Sequence, residues 1–308
     1  MNIELKKALD PPTAWEYGGK ELSLTNLATA LIDPPEPPEA VIKNVLRRGH
    51  KMMVTASSKA GKTWLMIELA CAVASGQMWL GYFVKKGKVL YLNMELSEGS
   101  FINRFKIVAD KMKLSPADQA NIDFLNLRGV NGSFDDLAVL LVDMVKENQY
   151  IMVIIDPIYK LFEGSENEQE AVTAFCNNLD VIANEGASIV YTHHHSKGAQ
   201  AGKSAMDRGS GSGVFARDAD ALMDLLEVDC PEDLQEDNKT ISAYRVEWTL
   251  REFKPRPITG IVFDYPIHRR DDSGAVLDSK PKSNQRRGRQ RHRPATPGRL
   301  RSKEGRIC

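Results

Sequence analysis

The sequence is short of cysteine, of aromatics and of long apolar runs, and each shortage excludes something. Its four cysteines among 308 residues (Cys71, Cys176, Cys230 and Cys308) form no C-x-x-C pair and no close spacing. They read as ordinary thiols of a reducing cytoplasm, with neither a disulfide framework nor a cysteine-rich zinc site expected. No run of about 18 apolar residues occurs, so no transmembrane helix and no membrane partner is expected. Residues 1–7 lack an apolar stretch leading to a cleavage site, so no export signal is expected. Aromatics make up only 7%, but a hydrophobic share of 42% still suffices for a substantial buried core. Net charge is also missing, and here the absence hides an asymmetry. Residues 280–308 hold 11 Lys/Arg and a single acid, Glu304; removing them from the 41 bases and 41 acids leaves 30 against 40. An acidic body therefore carries a basic tail too poor in large apolar residues to fold by itself, and disorder is expected there. Such a tail attracts phosphate backbones; a solvated end without a specific partner, or an accident of reading frame, is the alternative.

What is present is an alternation of strands and helices. Residues 1–40 form an N-terminal extension with a short helix expected over 22–32, followed by a stiff linker with four prolines at 33–40. Strands are expected at 52–56, 88–94, 122–127, 150–156 and 187–191. Helices are expected at 62–75, from the Ser97 cap to about 112, at 133–148 and at 168–185. Continuous apolar strands separated by amphipathic helices indicate a mostly parallel α/β sheet covered on both faces. From about residue 219 the pattern turns to strands alone, which predicts an antiparallel extension at the sheet edge. The expected division is an extension at 1–40, a catalytic domain at 41–270 and a basic tail region at 271–308.

The stretch Ala56-Ser57-Ser58-Lys59-Ala60-Gly61-Lys62-Thr63 departs by one residue from G-x-x-x-x-G-K-[ST], with alanine for the first glycine. A strand, a tight turn and a helix N-terminus place successive backbone N–H groups around a phosphate. Gly61 permits close approach, Lys62 reaches the β- and γ-phosphates, and Thr63 offers a Mg²⁺ ligand. Ser57, Ser58, Lys59, Ala60, Gly61, Lys62, Thr63 and Trp64 are the candidate nucleotide-binding residues, with ATP and Mg²⁺ as the ligands. Asp156 closes an apolar strand and is the candidate for the Mg²⁺–water shell; the plainer alternative is a strand-end cap. Glu95, just past the second strand, faces the same edge and is the candidate base for the attacking water; otherwise it is a solvated loop acid. His193, His194 and His195 follow the last apolar strand, and an imidazole there can donate to the γ-phosphate, whereas zinc binding is disfavoured because adjacent side chains diverge. The Gly-, Ser- and Lys-rich residues 196–218 read as a mobile loop, with Lys197, Lys203 and Arg208 as candidate contacts to single-stranded nucleic acid.

In this order, and with "YLNMELS", "VIIDP" and "VYTHHHSKG…RGSGSG" as the most telling pieces, the chain resembles the RecA-like P-loop ATPases, closest to the RepA-type hexameric replicative helicases of plasmids and mobile elements. The resemblance covers roughly residues 41–227. It implies a RecA-like core, Lys62 and Thr63 on nucleotide and metal, Glu95 as catalytic base, Asp156 in the metal shell and His194 as the γ-phosphate sensor. It further implies a homo-oligomeric ring of six, single-stranded DNA as partner, and an initiator or primase beside it. A trans-acting arginine is also implied, but Asp220 occupies its aligned place. The candidates left are Arg217, Arg208 and Arg251, with Lys254 behind them. A nucleotide-gated loading switch without unwinding activity is the competing function.

Overall fold

The computed structural model describes residues 15–162, 169–196, 200, 202–209, 213–235 and 241–282. In chain order these hold β1 (Trp15–Tyr17), β2 (Lys20–Leu22), α1 (Leu27–Ala30), β3 (Ala40–Ile42), β4 (Leu46–Arg47), β5 (Lys51–Ala56) and α2 (Lys62–Ser75). Then follow β6 (Val89–Asn93), α3 (Glu98–Met112), α4 (Pro116–Gln119), β7 (Ile122–Asn126), α5 (Phe134–Asn148) and β8 (Met152–Asp156). The remainder comprises α6 (Gln169–Ala183), β9 (Ser188–His194), α7 (Ala205–Arg208), α8 (Val214–Asp218), β10 (Ala221–Val228), β11 (Ser242–Leu250), β12 (Thr259–Asp264), β13 (Ile267–Asp271) and α9 (Ala275–Asp278).

The central sheet has the order β13-β12-β11-β10-β5-β9-β8-β6-β7. From β10 to β7 every pairing is parallel, and β11, β12 and β13 extend it antiparallel. The expected α/β fold with an antiparallel extension is thus the observed one. β5 lies inside the sheet and all six of its residues are buried. Its Lys51 is buried because Asp180 (2.5 Å) and Asp218 (2.7 Å) hold the ammonium. Helix α2 is also largely buried, and a left-handed glycine bounds it at each end, Gly61 (φ 80°) and Gly76 (φ 78°). Left-handed backbone carries no Cβ penalty at glycine, so both ends are fixed locally. Two apolar layers enclose the sheet, one around α2 and α3, the other around α5 and α6. Among the described residues no helix is long and apolar enough to cross a membrane.

Four expectations need correction. Strand β9 runs on to His194, because pairing of Ala56 with His194 keeps it in register with β5 up to the loop. The expected helix at 22–32 is only the single turn α1. Asn26 caps it by accepting from the Ala28 N–H at 2.9 Å, and the chain before it is a hairpin turning on Gly18 and Gly19, both at positive φ. Residues 196–218 are not one irregular loop, since α7 and α8 lie within them. Finally, structure continues past residue 270: Val276 is fully buried and Pro281 bridges to Val228. The tail beyond Lys282 lies outside the described residues.

Candidate nucleotide site

The loop between β5 and α2 opens onto a cleft of about 510 Å³ at the C-terminal edge of the parallel strands. Ser58, Lys59, Ala60, Gly61, Lys62, Thr63 and Trp64 line one side, and Glu95, Arg104, Asp156, Tyr159, Thr192 and His194 are among the residues opposite. Lys62, Thr63, Glu95, Asp156 and His194, scattered over 132 positions of sequence, are thereby brought together. Ser57 borders the loop, half-buried, and contributes its carbonyl rather than its side chain.

Alanine at position 56 is compatible with this loop. Ala56 ends β5, is fully buried, and is absent from the positive-φ residues, so its backbone does not call for glycine. The left-handed positions are Gly61 and Lys59 (φ 64°), and a non-glycine residue there stores roughly 1–2 kcal/mol of strain. The Ala56 carbonyl accepts from the Lys62 ammonium and from the His195 N–H, both at 3.1 Å.

Lys62 is buried, and its ammonium donates also to the Ser57 carbonyl at 3.0 Å. Burial lowers its pKa to about 8, partly offset by the charges of Asp156 and Glu95. It lies 3.1 Å from His194 Nδ1. Ammonium only donates, so Nδ1 must accept and the imidazole proton resides on Nε2. Burial, and then the Lys62 charge, push His194 down to about 4, so the ring is neutral near pH 7. A triphosphate beside Lys62 favours the ammonium, whereas in the free protein the amine is neutral above pH about 8. Nucleotide binding is therefore expected to take up a proton between about 8 and the ordinary 10.5, and affinity falls as pH rises through that window. Calorimetric titrations in two buffers of different ionisation enthalpy, inside and below the window, measure this. Equal proton uptake at both pH values would refute it.

Asp156 is held from two sides. Tyr91 donates to its Oδ2 at 2.9 Å and Thr192 to its Oδ1 at 2.6 Å. Burial and the adjacent carboxylate hold the Tyr91 phenol well above its ordinary pKa, so it stays a donor. Two neutral donors leave lone pairs on the carboxylate for water. Glu95 is exposed at the lip of the cleft, on a turn fixed by Asn93, which accepts from the Leu96 N–H (3.1 Å) and donates to its carbonyl (2.7 Å). The positioning role of Asn93 was not foreseen; an Asn at the strand end in "YLNMEL" is the signal that could have shown it. Arg104 was missed as well. It lines the cleft from α3, sits 5.1 Å from the Trp64 ring, and has no carboxylate partner among the described residues. No local pattern separates it from an ordinary helical arginine.

The three histidines diverge. His194 enters the cleft, while His193 packs 5.2 Å from Phe215. His195 Nε2 lies 2.8 Å from Asp224 Oδ1. Asp224 also takes the Thr55 hydroxyl at 2.6 Å and the Arg208 guanidinium at 2.5 Å. Arg208, bonded to Glu247 as well, is buried and committed within its own chain, which removes it as a freely reaching finger. Arg217 and Arg251 lie outside the cleft. Pairing of Ala221 with both Met52 and Leu250 puts them at the opposite edge of the sheet, where Lys254 also follows β11. Asp220 serves that edge, accepting from the Lys51 N–H and from Arg251 at 2.9 and 2.8 Å. Lys203 donates to Ser196 at 2.7 Å, and Lys197 lies outside the described residues.

Behind the loop, the β12–β13 hairpin packs on α2. His268 donates its backbone N–H to Glu68 at 2.9 Å, and its Nδ1 lies 2.6 Å from the same carboxylate. A Cβ at Gly61 would sit 3.6 Å from its Nε2. The antiparallel extension thus supports the phosphate-binding turn from below.

Comparison with known families gives a match to the AAA domain over residues 20–200, more than half of the chain. A search of curated proteins finds no match. The matched span contains β5, the loop, α2 and the strand ends that carry Glu95, Asp156 and His194. A P-loop ATPase domain of the RecA-like kind is therefore present, and the chain belongs to the AAA domain family.

Proposed function

We infer that this ATPase is a motor acting on single-stranded DNA, working as a homo-oligomeric ring of six in the manner of a replicative helicase. The observation that carries the reading is the convergence of Lys62, Glu95, Asp156 and His194 on one cleft. A scaffold that only bound nucleotide would need no carboxylate at the position of Glu95. In this reading Lys62 leaves the carbonyls of Ala56 and Ser57 for the phosphates, and the neutral His194 offers its Nε2–H to the γ-phosphate. Glu95 orients and deprotonates the attacking water. Among the described residues no three His, Cys, Asp or Glu side chains form a metal cage. The donors on hand, the Thr63 hydroxyl and Asp156 through water, fit magnesium, which keeps several waters and shares phosphate oxygens. Bound there, Mg²⁺ would neutralise charge on the β- and γ-phosphates.

For the DNA, support comes from the segment after His195, which leaves β9 next to His194 and whose two ends, His195 and Arg208, both bond the buried Asp224. Its backbone ends meet, with the Ser196 N–H donating to the Arg208 carbonyl at 2.6 Å. The basic tail adds sequence-independent attraction. The test is ATP turnover with and without single strands, followed by displacement of a labelled strand from a tailed duplex. Stimulated turnover with directional displacement is expected. Turnover that no single strand stimulates ends the motor reading, and stimulation without a displaced strand transfers the assignment to a nucleotide-gated loading switch.

A further inference from the structure

Tyr159 lines the nucleotide cleft, and the chemistry described so far leaves it unused. Asp156 closes β8, and the chain then turns through the short 3₁₀ segment Ile158–Lys160. Ile158 is fully buried and its carbonyl accepts from the Leu161 N–H at 2.9 Å, so the turn is anchored in the body of the chain. Tyr159 is left half-buried on the cleft wall. Its ring centroid lies 5.2 Å from that of His194, in tilted contact, and the Lys160 ammonium lies 5.2 Å from the same centroid. The ring is held, but the hydroxyl is not. Tyr91, Tyr150 and Tyr191 each donate the hydroxyl proton to a fixed oxygen, on Asp156, Asp123 and the Phe215 carbonyl. Among the described residues the Tyr159 hydroxyl makes no hydrogen bond. Burial, and then the charges of Glu95 and Asp156, raise its pKa, so the phenol keeps its proton near neutral pH.

An attacking water carries two hydrogens, and the reading above accounts for one of them, taken by Glu95. Asp156 is followed by Pro157 rather than by a second acid, so no adjacent carboxylate receives the other. Opposite the phosphate loop, the other polar side chains face the cleft as donors or are spent. Arg104 has no acceptor, and His194 offers its Nε2–H because Nδ1 faces Lys62. Thr192 is fully buried, with its hydroxyl donating to Asp156. A neutral phenol accepts and donates at once.

We propose that Tyr159 is a further catalytic residue, whose phenol oxygen accepts a hydrogen bond from the attacking water and whose O–H donates to an oxygen of the γ-phosphate. The proposal rests on the reading of Glu95 as the base. In the step, the water oxygen bonds to the γ-phosphorus while the bond to the β,γ-bridging oxygen breaks, its electron pair leaving with ADP. One water proton passes to Glu95, and Tyr159 keeps its own. The phenol thereby fixes the line of attack, and its contact with His194 sets two γ-phosphate donors side by side.

The test is Tyr159→Phe in the full-length chain, which removes the hydroxyl and keeps the ring against His194. Single-turnover hydrolysis, equilibrium nucleotide binding and thermal denaturation are measured together. The hydrolysis rate constant is expected to fall roughly 10- to 100-fold, the range for losing a hydrogen bond to a charged group, with affinity and unfolding temperature unchanged. In a Glu95→Gln background the same substitution is expected to cost less than about threefold, because both side chains hold one water. A purely structural tyrosine gives the same loss in both backgrounds, and that result overturns the proposal. So does a loss of affinity that accounts for the whole effect. An unchanged rate constant also overturns it and leaves the ATPase reading standing. If the unmodified protein turns over no ATP with or without single strands, the reading of the cleft itself falls and the proposal with it.

Discussion

Lys62→Ala is expected to reduce ATP turnover by about a thousandfold in kcat/KM, roughly 4 kcal/mol of lost transition-state stabilisation. The side chain is a cation already buried at the base of the phosphate-binding turn, 3.1 Å from His194 and bonded to two loop carbonyls. Its low pKa of about 8 shows that the folded chain disfavours this charge without a counter-anion. Two consequences follow with opposite signs. Removing the ammonium takes away the strongest attraction for phosphate, yet it relieves a desolvation cost. The variant should therefore unfold at or near the wild-type temperature while losing turnover. Steady-state kinetics together with thermal denaturation measure both. Loss of activity with collapse of the fold would show that Lys62 holds the loop together, and retained turnover would remove it from the mechanism.

Glu95→Gln is expected to separate binding from chemistry. The carboxylate is exposed at the lip of the cleft on a turn that Asn93 clamps through backbone bonds to Leu96. The amide keeps the size of the side chain and its exposure, so an effect on stability should stay within about 0.5 kcal/mol. Loss of a positioned base costs about 10²–10⁴ in rate. We therefore expect kcat to fall by that factor with nucleotide affinity unchanged, read from single-turnover hydrolysis beside equilibrium binding. A weakened affinity with unchanged kcat would make Glu95 a binding residue and leave the base to be found elsewhere. Asn93→Ala should act in the same direction with a smaller effect, because it releases the turn rather than the carboxylate.

How much of this was legible beforehand depended on the range of the forces involved. The phosphate loop, helix α2 and strand β5 could be read almost residue by residue, since left-handed glycines at 61 and 76 end the helix by local sterics. Asp156 and Glu95 were legible as strand-end acids because continuous apolar runs mark buried parallel strands, whose C-terminal ends share one edge. Strand β13 was not legible: "IHRRD" has no apolar alternation and is held by pairing to β12 and by His268 on Glu68. Arg208 looked like a surface cation in a glycine-rich stretch, and only the approach of Asp224 and Glu247 from two other strands buried it.

The sequence alone determined the fold class, the position of the phosphate-binding turn and the carboxylates available to it, because each depends on local backbone preference or on burial of a continuous apolar run. Tertiary structure decided which of three adjacent histidines enters the cleft, since alternate side chains leave a strand on opposite faces and the register of β9 with β5 was not written locally. It also located the left-handed backbone of the loop at Lys59 and Gly61, which gives the physical reason why alanine is tolerable at position 56. And it committed Arg208 and Asp220 to internal ion pairs, which form only when strands distant in sequence meet.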